Sequence, residues 1–201
     1  MRREDVTELQ YITDLRNLPS IIQLGLLSYE KASRITHHSV AMDEIQTIHT
    51  GKTVPGGRPL HQYANLYFSA RNPMMYKRKD QHRNICVLRI DSSVLDLPKA
   101  IVCNGNAASQ YTWFRPVNTG LAHLDAELIF SRDWRHPDIR VYYQQRSAKC
   151  AELLIPDKLD PSYITGIYVS CAENKDNLSK DYPDTPIMLE ADMFFYKAPR
   201  R

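Results

Sequence analysis

Lys149-Cys150-Ala151-Glu152-Leu153-Leu154-Ile155-Pro156 sets one carboxylate inside an otherwise aliphatic run. The run is short and closed by a proline, the pattern of a buried strand rather than of a helix. Alternation puts Cys150, Glu152 and Leu154 on one face and Ala151, Leu153 and Ile155 on the other. Both faces are apolar, and a charge enclosed in this way is costly unless something satisfies it. Two readings stand side by side. Glu152 is a structural partner of an arginine at a sheet edge, or its fixed geometry and shifted pKa serve chemistry.

Outward from this strand, the chain reads as an α+β domain spanning residues 1–201. Leu9–Thr13 has strand character. Asn17–Gly25 is punctuated as a helix, with Asn17 to cap it, Pro19 in the first turn and Gly25 at the exit. A second helix is expected near Val40–His49, where Met42, Ile45 and Ile48 share a face. The breaker-rich loop Thr53–Pro59 follows. Further strands are expected at Ala64–Ser69, Ile85–Asp91, Ala100–Cys103, Glu127–Phe130, Ala151–Ile155, Ile164–Val169 and Ile187–Tyr196. No G-x-G-x-x-G or G-x-x-x-x-G-K-[ST] occurs, which argues against a Rossmann or P-loop nucleotide site.

With 43% hydrophobic and 24% charged residues, the composition is that of a soluble globular protein. No apolar stretch has the length of a transmembrane helix. Met1–Val6 carries charges with no apolar segment behind them, so no signal peptide is expected and cytoplasmic residence follows. The four cysteines form no C-x-x-C pair and read as small buried hydrophobes of a reducing compartment. No His/Cys spacing fits zinc, so no metal is expected. The net charge of +3 is too small to prove a nucleic-acid partner. Lys77-Arg78-Lys79-Asp80-Gln81-His82-Arg83 beside Tyr76 is a dense basic stretch, either a solvated loop or a surface for phosphates and stacked bases.

Three more segments can carry chemistry. Tyr63–Met74 is a strand leading into Arg71-Asn72-Pro73, which holds the arginine at a strand end. Asn104–Ser109 is a polar loop of amides and small residues after a strand, and Tyr11-Ile12-Thr13 ends the first strand. The stretch Arg132–Arg146, read as a loop, interleaves Trp134, Arg135, Arg140, Tyr143 and Arg146 and is the best place for base recognition. Ala126-Glu127-Leu128-Ile129-Phe130 repeats the Ala-Glu-aliphatic form, and composition does not choose between Glu127 and Glu152.

Four of these segments, in this order, resemble the DarT-type toxins, ADP-ribosyltransferases that use NAD to modify a base in DNA. Tyr11–Ile21 is similar to the family's first motif, Tyr67–Met74 to its aromatic strand with a following Arg-x-Pro-Met, Asn104–Ala107 to its Asn-Ala loop, and Lys149–Asp157 to the strand that bears its catalytic glutamate. Ile164–Val169 also fits. The resemblance implies an ADP-ribosyltransferase fold, a split mixed or antiparallel sheet with N-terminal helices. It implies that Glu152 and Arg71 are catalytic, with Glu152 preferred over Glu127 by motif order and Arg71 acting electrostatically because arginine stays protonated. Tyr11, Thr13, Asn17, Tyr67, Arg71, Asn104 and Asn106 would hold NAD, under a lid formed by the helix near Met42 and the Pro-Gly-Gly loop. Tyr76, Lys77, Arg78, Lys79, Trp134, Arg135, Arg140, Tyr143 and Arg146 would hold single-stranded DNA. The family's first motif reads His-Ile-Thr, and Tyr11 takes the histidine place here; this departure favours guanine over thymine as the target. The implied partner is an antitoxin that removes ADP-ribose, and the implied state is a monomer without metal. The alternatives are a transferase acting on RNA ends or protein, and a non-catalytic nucleic-acid binding module.

Overall fold

The structure, a computed structural model, describes residues 1–38 and 52–196. The helix expected at Val40–His49 lies outside them. In chain order the described elements are β1 (Glu8–Asp14), α1 (Leu18–Leu24), β2 (Leu26–Leu27), α2 (Tyr29–Ala32), β3 (Tyr63–Tyr67), α3 (Pro73–Lys77), β4 (Ile85–Asp91), β5 (Ile101–Cys103), β6 (Phe114–Pro116), α4 (Val117–Gly120), α5 (Ala126–Phe130), α6 (Ile139–Ala148), β7 (Glu152–Pro156), β8 (Lys158–Leu159), β9 (Ile164–Val169), α7 (Ala172–Asp181) and β10 (Ile187–Leu189).

Eight strands form one sheet in the order β10-β9-β4-β1-β3-β7-β5-β6. Only β9 and β10 run parallel; the other neighbours are antiparallel. The sheet is split at its middle. β1 matches β4 over its full length, Glu8 opposite Asp91 to Asp14 opposite Ile85, and β3 matches β7 from Tyr63 opposite Pro156 to Tyr67 opposite Glu152. Between β1 and β3 a single pair, Gln10 opposite Tyr67, joins the two halves. Just past that rung the Gln10 Oε1 accepts the Ala70 N–H at 2.5 Å.

Strand alternation sorts the core. Leu9, Leu66, Leu88, Leu153 and Ile167 turn to one face and pack with Leu18 and Ile129. Ile12, Val87 and Ile85 turn to the other, against Met75 and Phe194. Each fully buried leucine or isoleucine contributes roughly 1.5–3 kcal/mol. Helix α1 ends at Gly25, whose φ of +86° suits glycine, and where a Cβ would lie 2.1 Å from the Leu159 carbonyl oxygen. Glycine thus lets the helix exit press against the ribbon in which Leu26 pairs with Leu159.

Several expectations need correction. Glu127–Phe130 is not a strand but part of α5, because Asp125 accepts the Leu128 N–H at 3.0 Å and starts a helix. Arg132–Arg146 is not all loop: α6 begins within it, capped by Asp138, which accepts the Arg140 N–H at 2.7 Å. The basic stretch after Tyr76 is wound into α3 and a 3-10 turn, Lys79–Asn84. The last strand stops at Leu189, and a 3-10 turn, Ala191–Phe194, follows. Asn17 occupies the N-cap position of α1 without capping it, since its side chain is bonded elsewhere. Among the described residues, no helix is long and apolar enough to cross a membrane.

Candidate active site

Where β1 and β3 part, a cleft of about 740 Å³ opens, within the roughly 300–1,000 Å³ of small-molecule sites. Tyr11 and Thr13 of β1, Asn65 and Tyr67 of β3, and Glu152 of β7 line it from the sheet. Asn17, His37 and His38 line it from the N-terminal segment, Lys77 from α3, Asn106 and Ser109 from the loop after β5, and Tyr143 and Arg146 from α6.

Glu152 sits between Tyr67 on β3 and Cys103 on β5, and only 3% of it is exposed. Its partner is an amide rather than an arginine: Asn65 Nδ2 donates to Oε2 at 2.7 Å. Burial pushes its pKa up to about 7, opposed by the Asn65 bond, the Ala107 backbone N–H and the positive charge of Lys52. Burial, reinforced by the Glu152 charge, raises the Tyr67 phenol and the Cys103 thiol and keeps both protonated. Lys52 donates to the Ser109 carbonyl and lies 5.0 Å from the centre of the Phe114 ring. The cleft thus holds a carboxylate that titrates near neutrality, among neutral phenols, thiols and amides.

Thr13 and Asn17 form one unit. Asn17 Nδ2 donates to Thr13 Oγ1 at 3.1 Å and to the His38 carbonyl at 2.8 Å, and Asn17 Oδ1 accepts the His38 N–H at 2.8 Å. The amide therefore pins the segment after α2 to the end of β1 and sets His38 at the cleft. Asn106 is braced within its own loop, its Oδ1 accepting the Ala108 N–H at 2.8 Å.

The structure does not bring every expected residue to the cleft. Arg71 is absent from its lining. Its Nε donates to the Arg132 carbonyl at 2.9 Å, a second nitrogen donates to the Asp192 carbonyl, and the guanidinium lies 4.0 Å from the Phe195 ring centre. Asn104 also stays outside, its Oδ1 accepting the Trp113 N–H at 3.0 Å. Trp134 is buried in an edge-to-face cluster with Tyr76 and Phe195, so its ring is packed rather than offered to a base. Lys79 lies over the Tyr76 ring at 4.5 Å, and Arg135 is tied to Asp133 at 2.8 Å. Arg78 and Arg140 do not line the cleft, whereas Lys77, Tyr143 and Arg146 do. Glu127, the rival carboxylate, is exposed on α5 and outside the cleft.

Sequence reasoning missed Asn65, Lys52, His37 and His38. Asn65 had a signal: it alternates with Tyr63 and Tyr67 on the strand face that meets Glu152. The histidines reach the cleft, and Lys52 acts on the Glu152 charge from outside its lining, through irregular segments that no periodicity marks. Among the described residues, no cluster of three or more His, Cys, Asp or Glu could hold a metal ion.

A family model described as "ssDNA thymidine ADP-ribosyltransferase, DarT" matches residues 10–195. A DNA ADP-ribosyl transferase–DNA ADP-ribosyl glycohydrolase fusion protein from Thermosipho africanus is 30% identical over 205 residues, covering 96% of this chain and 50% of its own. This chain therefore spans about half the length of that relative. The structure of Thermosipho africanus DarTG in complex with ADP-ribose superposes with a TM-score of 0.83 at 29% identity, over 94% of this chain and 51% of that one. That of Thermus sp. 2.9 DarT in complex with ADP-ribosylated ssDNA gives 0.81 at 23% identity, over 96% and 97%, and speaks to the fold alone. With the family model covering both halves of the split sheet and the cleft between them, the chain belongs to the DarT family of DNA ADP-ribosyltransferases.

Proposed function

We propose that this chain transfers ADP-ribose from NAD to a base of single-stranded DNA, with Glu152 as the catalytic carboxylate. The observation that carries the reading is a buried carboxylate, the one carboxylate among the described residues lining the cleft, braced by Asn65, in the wall of a cleft sized for a nucleotide. The family model over residues 10–195, described as an ssDNA thymidine ADP-ribosyltransferase, supports it.

In this reading the base nitrogen attacks C1′ of the nicotinamide ribose as the bond to nicotinamide breaks, and nicotinamide leaves with the bonding pair. The ionised Glu152 faces the ribose as it becomes cationic, and charge stabilisation by a preorganised group in a dry site is often the largest catalytic effect. Glu152 also accepts hydrogen bonds from the ribose hydroxyl or the attacking base and takes up the proton that the base nitrogen loses. Tyr11, Thr13, Asn17, Tyr67 and Asn106 line the volume that would hold the dinucleotide, and Lys77, Tyr143 and Arg146 stand where a strand would enter. A base must be unstacked to reach such a cleft, which favours single-stranded substrate.

For the base, two arguments pull apart. Tyr11 in the histidine place of the family's first motif favours guanine, whereas the family's description names thymidine. The second draws on nearly the whole chain and the first on a single residue, so thymidine is the acceptor we expect. The glycohydrolase in the fusion relative's description supports an ADP-ribose-removing partner. In this reading the chain is the toxin of a toxin–antitoxin pair and acts in the cytoplasm as a monomer.

The test is mass spectrometry of short oligonucleotides, RNA and protein pools after incubation with NAD and the protein. DNA is expected to gain the mass of one ADP-ribose, with fragmentation placing it on the base. Glu152→Ala is expected to lose activity at least a hundredfold while remaining folded. A Glu152→Ala protein as active as the parent overturns the assignment, and label on RNA or protein alone overturns the substrate.

A further inference from the structure

The amide that holds the carboxylate belongs to neither the glutamate strand nor the motifs that carried the resemblance. β3 and β7 run antiparallel with Asn65 opposite Leu154 and Tyr67 opposite Glu152. Asn65 is therefore the diagonal neighbour of Glu152 on one face, close enough for side chains to meet across the strands. Its Nδ2 spans that diagonal to Oε2 at 2.7 Å, and both residues line the cleft. An asparagine in a strand interior has poor strand propensity, so a packing role alone would favour an aliphatic at this position.

We infer that Asn65 is a positioning residue for the transfer: its amide fixes the Glu152 carboxylate towards the cleft and favours the ionised form. The inference rests on the function proposed above. An ionised carboxylate only accepts hydrogen bonds, so a donor aimed at it selects the charged state and removes rotational freedom. The bond opposes the burial that raises the Glu152 pKa, acting alongside the Ala107 N–H and Lys52. The other titratable groups around the carboxylate are Tyr67 on β3, Cys103 on β5, Cys150 just before β7 and Tyr11 on β1. Burial raises all four, so they stay neutral through the range in which Glu152 titrates. His37 and His38 also line the cleft, which makes a direct reading of the carboxyl necessary.

The experiment compares the full chain with Asn65→Leu, similar in size but without a donor, and Asn65→Ser, which keeps a shorter one. Glutamate labelled with ¹³C at the carboxyl reports the titration of Glu152 directly, with Glu152→Gln identifying the signal. Asn65→Leu is expected to raise the Glu152 midpoint by about one pH unit, a tenfold change in ionisation. The acid limb of turnover is expected to move with it, and kcat at pH 7 to fall by about tenfold or more while KM for NAD stays within about threefold. Asn65→Ser is expected to lie between, and takes the place of the leucine variant should that fail to fold. An unmoved carboxyl midpoint and acid limb in a folded variant, with an active parent, overturn the inference. A parent protein that modifies no DNA at all overturns the proposed function instead.

Discussion

Glu152 shows how far one residue can be read. Its setting among aliphatics was legible because strand alternation left no polar face for it, and the structure places it at 3% exposure. Asn65 was not legible as its partner, because asparagine in a short run signals a turn as readily as a strand; only the cross-strand register pairs the two. The raised pKa has a thermodynamic consequence. With about 7 in the folded protein against an ordinary 4.5, the folded state keeps a proton between those values that the unfolded chain has released. The stabilisation from neutral Glu152 is complete below the lower value and is lost as pH rises through the upper one, amounting to about 3 kcal/mol at most. Glu152→Gln, permanently neutral, is therefore expected to melt above the parent at pH 8, with the difference vanishing towards pH 5. A calorimetric series in which the two proteins melt in parallel across that range would show that Glu152 does not titrate in the folded state as described.

At the scale of elements, the long strands were readable and the short helices were not. β4 was legible to the residue because Ile85–Ile90 is apolar apart from Arg89 and Asp91 ends the run. α5 and α6 were hidden because their starts depend on single capping aspartates, Asp125 and Asp138, among residues that also suit strands and loops. The turn between β3 and α3 carries the least expected result. Arg71 is fastened to Arg132 and to the turn that follows β10, instead of facing the cleft. The turn was invisible in sequence, since Ile187–Tyr196 reads as one strand. Lys149, at the end of α6, reinforces the same region: its buried ammonium donates to Ser69 Oγ at 3.2 Å and to the carbonyls of Ile129 and Ser131 at 2.8 and 2.7 Å, and burial brings its pKa down to about 8. Asp192→Ala removes the carboxylate that lies 3.7 Å from the Arg71 guanidinium and leaves the backbone carbonyl that Arg71 donates to in place. The expected outcome in urea denaturation is a loss of about 1 kcal/mol, with ADP-ribose transfer kept within several-fold. A collapse of transfer at unchanged stability would show that this tether sets the reaction geometry.

For the whole molecule, the modest net charge concealed a local arrangement. Basic and aromatic residues that lie together in sequence separate in space: Lys77 and Arg146 face the cleft, while Arg135 is spent on Asp133. Single-strand binding is expected to weaken with salt, and Lys77→Ala and Arg146→Ala are each expected to lower the slope of log affinity against log salt by about 0.7, one phosphate apiece. Arg135→Ala is expected to leave it unchanged. Equal slopes for all three, measured by fluorescence anisotropy, would mean that the strand does not follow the cleft.

The lone rung at Gln10 and Tyr67 has a final consequence. A continuous sheet must break a ladder of backbone bonds to admit anything between its strands. Here the two flanking ladders are whole, and among the described residues only the rung at Gln10 and the Gln10–Ala70 bond beside it span the gap, so admitting a guest there requires no unzipping of either ladder.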